Sequence, residues 1–304
     1  MGEVRAVIEI GANSVKFYAA SKREDGAVET LADEVRVARL GEGLAGTGKI
    51  SPAAMERNLA LAAAFAARAR ELGTVPSVVG AMGLRAAANA PDFIARIKEL
   101  TGLDLRVISG EEEARLSFIA AISCLAEPGE EVAVFDTGGG STEVVRGKGG
   151  EILFSVSLPV GAAPVTEEFF AADPVPAGAV FAAIEKIGRI LAEGGVAGPN
   201  GRVVGVGGAA TTLASVRRSL DKYDPGAVRG MNISLAELGE MADLFASLTL
   251  AERKRIPGLA PDRAEIILAG TCIVISVLKA LGSESFTVSD RGLRHGLVRE
   301  MLDR

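Results

Sequence analysis

The chain has 304 residues, enough for about two domains, and its 33 basic and 39 acidic side chains give a formal charge of −6. This balance excludes a protein that coats nucleic acid without sequence preference, because such binding depends on a basic surface. Hydrophobic residues at 48% and charged residues at 24% exclude a disordered chain. One histidine, His295, and two cysteines, Cys124 and Cys272, exclude a multi-histidine zinc site and a disulfide framework.

The first half of the chain opens with three predicted strands. They are residues 4–10, 15–20 and 27–39, with a tight glycine turn between the first two. Ser51 and Pro52 then predict the start of a helix, because serine is a favoured N-cap and proline a favoured first helical residue. This half continues with a strand at 77–82, a helix after Pro91, a strand at 104–108 and a helix from Gly110.

A comparable order of elements restarts after a break at residues 127–129. Strands are predicted at residues 131–136, 142–146 and 151–158, again with a glycine turn between the first two. The openings IEIGANSV and FDTGGGSTEV share one layout of an acid, a glycine and a serine: Glu9, Gly11 and Ser14 correspond to Asp136, Gly138 and Ser141. The matched motifs and element order indicate an internal duplication, with a chance match of common turns as the alternative.

Two similar halves predict an α/β protein of two domains, each a mixed sheet with flanking helices. We expect one domain over residues 1–124 and the other over residues 125–304, with the last helix free to pack back on the first domain. A cleft is expected between them, because ligands of such architectures bind between the domains. The apolar run at residues 266–278 is too short to cross a membrane and predicts a buried helix.

The segment DTGGGSTE carries the strongest chemical signal. Its loop has three glycines, which let backbone N–H groups turn towards an anion, and two hydroxyl donors: Gly138, Gly139, Gly140, Ser141 and Thr142. Asp136 and Glu143 flank the loop on neighbouring strands, as carboxylates do that hold a hard cation beside a phosphate. The alternative is a plain glycine hairpin with two solvated acids. The Gly-Lys-Ser/Thr of a Walker P-loop is absent from the sequence.

Two further glycine turns are candidates for phosphate binding. The first consists of Gly11, Ala12, Asn13 and Ser14, and the duplication predicts that it faces the glycine loop of the second half and holds a phosphate from the other side. In the second, Gly207 and Gly208 follow a predicted strand and open a helix, whose N-terminal N–H groups attract anions. Close packing of that helix on the strand is the alternative explanation.

Charged residues near two strand ends are further candidates. In the segment SGEEEAR, Ser109 and Glu112 fit a capping box, whereas Glu113 could take a proton from water and Arg115 could bind a phosphate oxygen. A purely structural role for these acids is an equal alternative. Arg85 also follows a strand end, where α/β folds form clefts, and arginine suits bidentate contact with phosphate.

Two other groups favour structural or surface roles. The basic cluster at residues 253–255 precedes Pro257 at a helix end, where cations are favourable, so we predict surface residues with a polyanion contact as the alternative. His295 is predicted to be a solvated helix residue rather than a catalyst.

At these residues the chain resembles the exopolyphosphatase and guanosine pentaphosphate phosphohydrolase family, within the actin-like superfamily. The resemblance covers almost the whole chain in blocks that follow the family's order: IEIGANSV, GLRAAAN, VISGEEEARL, FDTGGGSTEVV, SLPVGAAPVTEEF, VGVGGAATTLASV, GLAPDRAEIILAG and VSDRGLRHGLV. It implies two actin-like, ribonuclease H-like domains and a hydrolase that removes the terminal phosphate of inorganic polyphosphate or converts pppGpp to ppGpp.

The resemblance also implies roles for individual residues. The glycine loops bind phosphate, and Mg²⁺, with Mn²⁺ as an alternative, is associated with Asp136, Glu143 and Glu9. Glu113 matches the family's catalytic base and Arg85 its cleft arginine. The sequence departs from the family at Glu9 and Ala12, where the family usually has aspartate and serine. It also departs at Ala81 and Met82, where the family often has threonine and serine, and at Pro164, where it often has arginine. These departures reduce the number of polar contacts to phosphate.

Two other classes of function remain open. An actin-like ATP-binding kinase or ATPase would use the same loops for ATP, and a non-catalytic sensor would bind polyphosphate or a guanosine polyphosphate without hydrolysis. We expect no nucleic-acid or membrane partner, and both a monomer and a homodimer are compatible with the sequence. The first residues lack the basic and apolar regions of a secretory signal, so we expect a cytoplasmic protein.

Overall fold

The computed structural model describes residues 2–125, 129–149, 151–198 and 201–303. By its internal contacts the chain divides into one unit of Met1–Leu116 with Leu293–Arg304 and a second unit of Ser117–Gly292. The division falls earlier than the expected boundary at Cys124, inside a helix, and the final helix belongs to the first unit. The predicted break at Glu127 and Pro128 lies outside the described residues.

Strands and helices alternate along both units after an opening group of three strands. The strands are β1 (Val4–Ile10), β2 (Ser14–Lys22), β3 (Val28–Val37), β4 (Ser77–Gly80), β5 (Leu105–Val107), β6 (Glu131–Thr137), β7 (Thr142–Lys148), β8 (Glu151–Leu158), β9 (Arg202–Val206), β10 (Asn232–Ser234) and β11 (Ser285–Val288). The helices are α1 (Leu44–Thr47), α2 (Pro52–Glu71), α3 (Met82–Ala86), α4 (Ala90–Thr101), α5 (Gly110–Leu125), α6 (Ala162–Phe169), α7 (Ala179–Glu193), α8 (Gly207–Arg218), α9 (Pro225–Val228), α10 (Leu235–Ser247), α11 (Leu250–Arg253), α12 (Ile267–Leu281) and α13 (Leu293–Leu302).

Each unit contains one mixed sheet, and the two sheets repeat one pattern. The first sheet has the order β3-β2-β1-β4-β5 and the second the order β10-β11-β9-β6-β7-β8. β1 pairs antiparallel with β2 and parallel with β4, and β6 pairs in the same way with β7 and β9. The expectation of an α/β protein with two mixed sheets and flanking helices is therefore confirmed.

The core of the first unit forms where the apolar face of α2 covers the sheet. Ser51 caps this helix, because its Oγ accepts a hydrogen bond from the N–H of Ala54 at 3.2 Å, as the sequence predicts. This core includes a stacked pair of aromatic rings, Phe17 from β2 and Phe65 from α2, whose centroids lie 5.4 Å apart. Such aromatic pairs add to the stability that burial alone provides.

The core of the second unit is built around α12, which is buried along almost its whole length. This confirms the buried helix that the apolar run predicts. Cys272 lies within it, and burial raises the pKa of its thiol to about 12, which leaves this cysteine unreactive. Within the described residues, every helix is too short or too polar to cross a membrane.

Candidate active site

The first glycine turn connects β1 to β2 in the first unit. It consists of Gly11, Ala12, Asn13 and Ser14. The N–H of Gly11 donates to the carbonyl of Ser14 at 3.0 Å, and the carbonyl of Asn13 accepts from the N–H of Ala38 at 2.9 Å. The Nδ2 of Asn13 is buried and has no hydrogen-bond partner within the described chain. A buried amide donor of this kind can bind a ligand oxygen.

The second glycine turn connects β6 to β7 in the second unit and closes in the same way. The N–H of Gly138 donates to the carbonyl of Ser141 at 2.9 Å. The first N–H groups of α6 bind the other side of the loop, with Ala162 donating to Gly138 at 3.0 Å and Ala163 to Gly139 at 2.9 Å. Both loops are therefore closed by the same glycine-to-serine backbone hydrogen bond at corresponding positions. The internal duplication thus extends from the order of elements to the conformation of the loops.

Gly161 allows α6 to approach this second loop closely. A Cβ atom on Gly161 would lie 2.4 Å from the carbonyl carbon of Gly140 and 2.6 Å from the oxygen of Gly139. Both contacts are to backbone, which cannot rotate out of the way. A side chain at this position would therefore displace the loop.

The strands beside the two loops carry different charges at equivalent positions. In the first unit Glu9 lies opposite Lys16 in the β1–β2 register, and the two side chains form an ion pair. In the second unit Asp136 lies opposite Glu143 in the β6–β7 register. Directly opposed residues of an antiparallel pair share a face of the sheet, where two like charges destabilise the pair. A cation bound by these two carboxylates would offset that cost.

Glu143 is held in place by a further hydrogen bond. The residue is 2% exposed, and its Oε1 accepts a hydrogen bond from the hydroxyl of Ser157 on β8 at 2.7 Å. Asp136 is less buried, and its Oδ1 lies where a Cβ atom on Gly207 would come within 2.3 Å. Because Gly207 has no side chain, its backbone can pack closely against this oxygen. Two opposed carboxylates fit Mg²⁺, which proteins bind through one or two carboxylates together with substrate phosphates.

Glu9 is the third acid of this predicted metal set, and it belongs to the first unit. Burial by itself raises the pKa of Glu9, but the charges of Lys16 and Arg294 outweigh burial and hold this pKa below its usual value. The carboxylate is therefore ionised at neutral pH. Its Oε2 is buried and has no hydrogen-bond partner in the described part of the chain. Groups of three or more metal-binding side chains do not occur among the described residues.

A third anion-binding candidate lies at the start of α8. Gly207 and Gly208 form its first turn, as the sequence predicts. The guanidinium of Arg263 lies against this turn, since a Cβ atom on Gly208 would be 2.1 Å from Nη1. Burial lowers the pKa of Arg263 below its usual value. Helix N–H groups and a guanidinium at one point favour a bound anion.

Arg85 and Glu113 form an ion pair in the first unit. Arg85, in the short helix α3, donates from Nη1 to Oε2 of Glu113 at 3.0 Å and to the carbonyl of Ile108 at 2.8 Å. Glu113 lies in the first turn of α5. The second bond holds the guanidinium in place, so its orientation does not depend on Glu113 alone. The two residues predicted as cleft arginine and base are thus brought together.

Comparison with known proteins decides the family. The family profile for Ppx/GppA phosphatases matches residues 20–304. The chain belongs to the Ppx/GppA phosphatase family. The solved structure of the Ppx-GppA enzyme of Aquifex aeolicus is 33% identical, with a TM-score of 0.83, over 98% of this chain and 100% of that one. An exopolyphosphatase from Cytophaga hutchinsonii is 25% identical, with a TM-score of 0.89, over 99% of this chain and 98% of that one.

The actin-like fold of this Ppx/GppA phosphatase is therefore as expected from the resemblance. The family profile begins at residue 20, after the first glycine turn. Of the departures, Ala12 lies in that turn and Glu9 lies on β1 just before it. Ala81 and Met82 are at the start of α3, and Pro164 is in the first turn of α6.

The prediction that the hydroxyl of Thr142 donates a hydrogen bond to phosphate is wrong. The hydroxyl of Thr142 is fully buried and donates to the carbonyl of Val160 at 2.7 Å, so its proton points into the protein. Ser141 precedes it and is also nearly buried. The loop therefore offers an anion its backbone N–H groups more than its hydroxyl groups.

Two basic or acidic candidates have other partners in the structure. Arg115 forms an ion pair with Glu300 of α13, beside a concavity of about 400 Å³ in the first unit, rather than being held ready for phosphate. Half of the predicted capping box is present, because Oγ of Ser109 accepts from the N–H of Glu112 at 3.1 Å. The carboxylate of Glu112 instead binds Arg106 at 2.7 Å.

Two predictions of exposed residues are wrong. His295 is 6% exposed, its Nε2 lies 2.9 Å from Oδ2 of Asp33, and its ring lies 4.3 Å from that of Tyr18. The reason is that α13 packs into the first unit and is not a free end. Arg253 is 3% exposed and lies 4.0 Å from Asp173, whereas Lys254 and Arg255 are exposed as predicted.

Sequence reasoning missed Arg263 and Ser157. Arg263 lies in the block GLAPDRAEIILAG, which carries the family resemblance, and an arginine in such a block is a signal that could have found it. Ser157 has no comparable signal. Only the register of β7 with β8 brings it opposite Glu143.

Proposed function

We propose that this Ppx/GppA phosphatase is an exopolyphosphatase that uses Mg²⁺ to hydrolyse the terminal phosphate of inorganic polyphosphate. The observation that carries the proposal is the pairing of Asp136 with Glu143 where the duplicated strands of the first unit pair Glu9 with Lys16. The duplication predicts one acid in each cross-strand pair. In the second unit the residue opposite that acid is a second acid, and a second carboxylate favours a divalent cation. Both acids adjoin a glycine loop suited to phosphate.

Different residues of the chain have different roles in the in-line attack of water on the terminal phosphoryl group. The two glycine loops donate N–H groups to phosphate oxygens, and Arg85 neutralises charge on the phosphoryl group. Glu113 accepts the proton of the attacking water, a role worth about 10² to 10⁴ in rate. Mg²⁺, held by Asp136 and Glu143, supplies further charge neutralisation when bound.

The pair of Arg85 and Glu113 supports these roles. With no phosphate bound, the two opposite charges neutralise each other at 3.0 Å. A phosphoryl group that binds Arg85 competes with Glu113 for the guanidinium. The carboxylate can then accept a proton from water, so the arrival of substrate also prepares the base.

Phosphate release from four substrates in parallel tests the proposal: long polyphosphate, short polyphosphate, pppGpp and ATP, each with Mg²⁺, with Mn²⁺ and with chelator. We expect release from polyphosphate that stops on chelation and is lost in E113Q. E112Q is the matched control, because the carboxylate of Glu112 binds Arg106 on the surface. Equal activity in E113Q and wild type would rule out the assigned base. Tight binding of polyphosphate without release would instead indicate a sensor.

One observation favours pppGpp as a second candidate substrate. Tyr223 is half exposed and belongs to the second unit, as does Arg263, which lies against the first turn of α8. An exposed aromatic ring can stack on a nucleobase. In Y223L we expect a higher KM for pppGpp and an unchanged KM for polyphosphate. Equal KM values for pppGpp in Y223L and wild type would remove the support for this candidate.

We also propose that the enzyme acts in the cytoplasm and does not bind nucleic acid. The net charge of −6 supports the second statement, because a negatively charged surface repels the phosphate backbone. Cell fractionation with an antibody and a gel-shift titration with duplex DNA test the two statements separately. Sedimentation of the purified protein distinguishes a monomer from a homodimer.

A further inference from the structure

Ser117 is a buried serine whose hydroxyl group binds Asp136. Its side chain lies in α5, the residue is 1% exposed, and Oγ lies 3.0 Å from Oδ2 of Asp136. Both residues belong to the second unit. An ionised carboxylate can only accept hydrogen bonds, so the serine must be the donor. This contact is separate from the glycine loop and from the pairing of Asp136 with Glu143.

Three other buried hydroxyl groups in the helices of this protein bind the backbone of their own helix. Thr166, Thr271 and Ser276 each donate to the carbonyl four residues earlier, at distances of 2.8, 2.8 and 2.9 Å. This is the usual partner of a serine or threonine inside a helix. Ser117 donates instead to a carboxylate on β6. The hydroxyl at this position therefore acts on Asp136 and not on the helix.

The contact gives the two carboxylate oxygens of Asp136 different surroundings. Oδ2 receives the hydroxyl of Ser117, and the backbone of Gly292 lies nearby, since a Cβ atom there would be 3.5 Å away. Oδ1 lies on the side of Gly207, where a Cβ atom would be 2.3 Å away. A hydrogen bond to one oxygen restricts rotation about the Cβ–Cγ bond. The plane of the carboxylate is thereby held.

We propose that Ser117 is a positioning residue that orients the carboxylate of Asp136 for a divalent cation. The inference rests on the proposed function only in taking Asp136 as a ligand of that cation. Hydrogen bonds from the surroundings to a ligating carboxylate hold its orientation. Their removal typically costs about 10- to 100-fold in metal affinity. Ser117 contacts neither the substrate nor the cation in this role.

The test compares S117A, S117T and S276A in the full-length protein with Mn²⁺ as the probe. Ser276 is the matched control, because it is a buried helical serine of the same unit whose hydroxyl binds only backbone carbonyls. Titration followed by electron paramagnetic resonance should show a dissociation constant for Mn²⁺ about 10-fold higher in S117A and unchanged in S276A. S117T keeps the hydroxyl and should restore binding. The Mg²⁺ concentration for half-maximal activity should rise in parallel, with an unchanged KM for polyphosphate at saturating Mg²⁺.

Three results would overturn the assignment: unchanged Mn²⁺ affinity in S117A that melts like wild type, an equal loss in S276A, or no Mn²⁺ binding to the wild type. If S117A does not fold, S117C is measured in its place, because a thiol has a similar volume and is only a weak donor. The same loss of affinity is expected. A wild type that releases no phosphate but binds Mn²⁺ with an affinity that falls in S117A and not in S276A would contradict the proposed function and leave the role of Ser117 intact.

Discussion

Arg85 donates a hydrogen bond from Nη1 to Oε2 of Glu113 at 3.0 Å, and the same nitrogen donates to the carbonyl of Ile108 at 2.8 Å. The guanidinium is thus held by a backbone group that substrate does not displace. In the proposed reaction Arg85 exchanges one partner, the carboxylate, for a phosphoryl oxygen. Its position can remain the same in both states.

Replacing Arg85 by alanine should lower kcat/KM for polyphosphate by about 10²-fold, because one donor to the developing charge is lost. R85K should recover only part of this loss, since an ammonium group cannot bind two partners in the planar geometry of a guanidinium. The measurement is initial rate against polyphosphate concentration at saturating Mg²⁺. R106A, which removes an exposed arginine on β5, is the control and should keep wild-type rates. Wild-type kinetics in R85A would contradict the assigned role.

Two acids, Glu9 and Glu143, each belong to one of the duplicated strand pairs and should respond to amidation with opposite signs. E9Q removes an ion pair with Lys16, so we expect a loss of about 2 kcal/mol in the free energy of unfolding. E143Q removes a like charge opposite Asp136 and can still accept from Ser157, so with chelator present the unfolding free energy should rise by about 0.5 kcal/mol.

Added Mg²⁺ provides the second half of this comparison. It should raise the melting temperature of the wild type and of E9Q more than that of E143Q, because binding to the folded state stabilises it. Chemical denaturation with and without chelator gives all the required free energies. A fall in stability for E143Q equal to that of E9Q would show that the carboxylates of Asp136 and Glu143 do not repel each other.

Gly161→Ala should displace the second glycine loop. The added Cβ atom would lie 2.4 Å from the carbonyl carbon of Gly140, a backbone atom, so the loop or α6 must move. We expect a loss of about 2 kcal/mol in stability, as for overpacked sites, and a raised KM for polyphosphate. Gly188→Ala in α7 is the matched control, because a Cβ atom there meets open space and alanine favours a helix. Normal KM in G161A would show that this loop does not bind substrate.

The contact of Asp33 with α13 predicts a pH dependence of stability. Burial by itself raises the pKa of Asp33, but the hydrogen bond from His295 and the charge of Arg294 lower it to about 2 from 3.8. A lowered carboxyl pKa stabilises the folded state above the unfolded value, and this contribution disappears as the pH falls from about 4 towards 2. Solvent screens part of the interaction, so we expect about 1 kcal/mol.

Unfolding free energies of the wild type and D33N, measured between pH 2 and pH 7, test this prediction. The difference between the two proteins should shrink as the pH falls below 4. D25N is the control, since Asp25 is an exposed residue that pairs with Arg23 on the surface. A difference that persists unchanged at pH 2 would contradict the assigned pKa.

The sequence by itself determined the order of elements and the position of both glycine loops. The spacing from acid to glycine to serine required a strand that ends in a tight turn, and this spacing is short-range information. The same is true of Ser51 and Pro52 at the start of α2, whose capping depends on neighbouring residues only. The acids Asp136 and Glu143 could be paired because the hairpin between them is short.

Only the tertiary structure decided the partners of side chains that are distant in sequence. His295 looked like a surface residue, but α13 returns to the first unit and brings it to Asp33. Arg263 reaches Gly208, and Ser117 reaches Asp136, through the packing of separate elements. Local patterns record which face of a helix is apolar, but not which strand or turn will cover it. Contacts between remote residues depend on how all elements pack together, which the pattern along one segment does not contain.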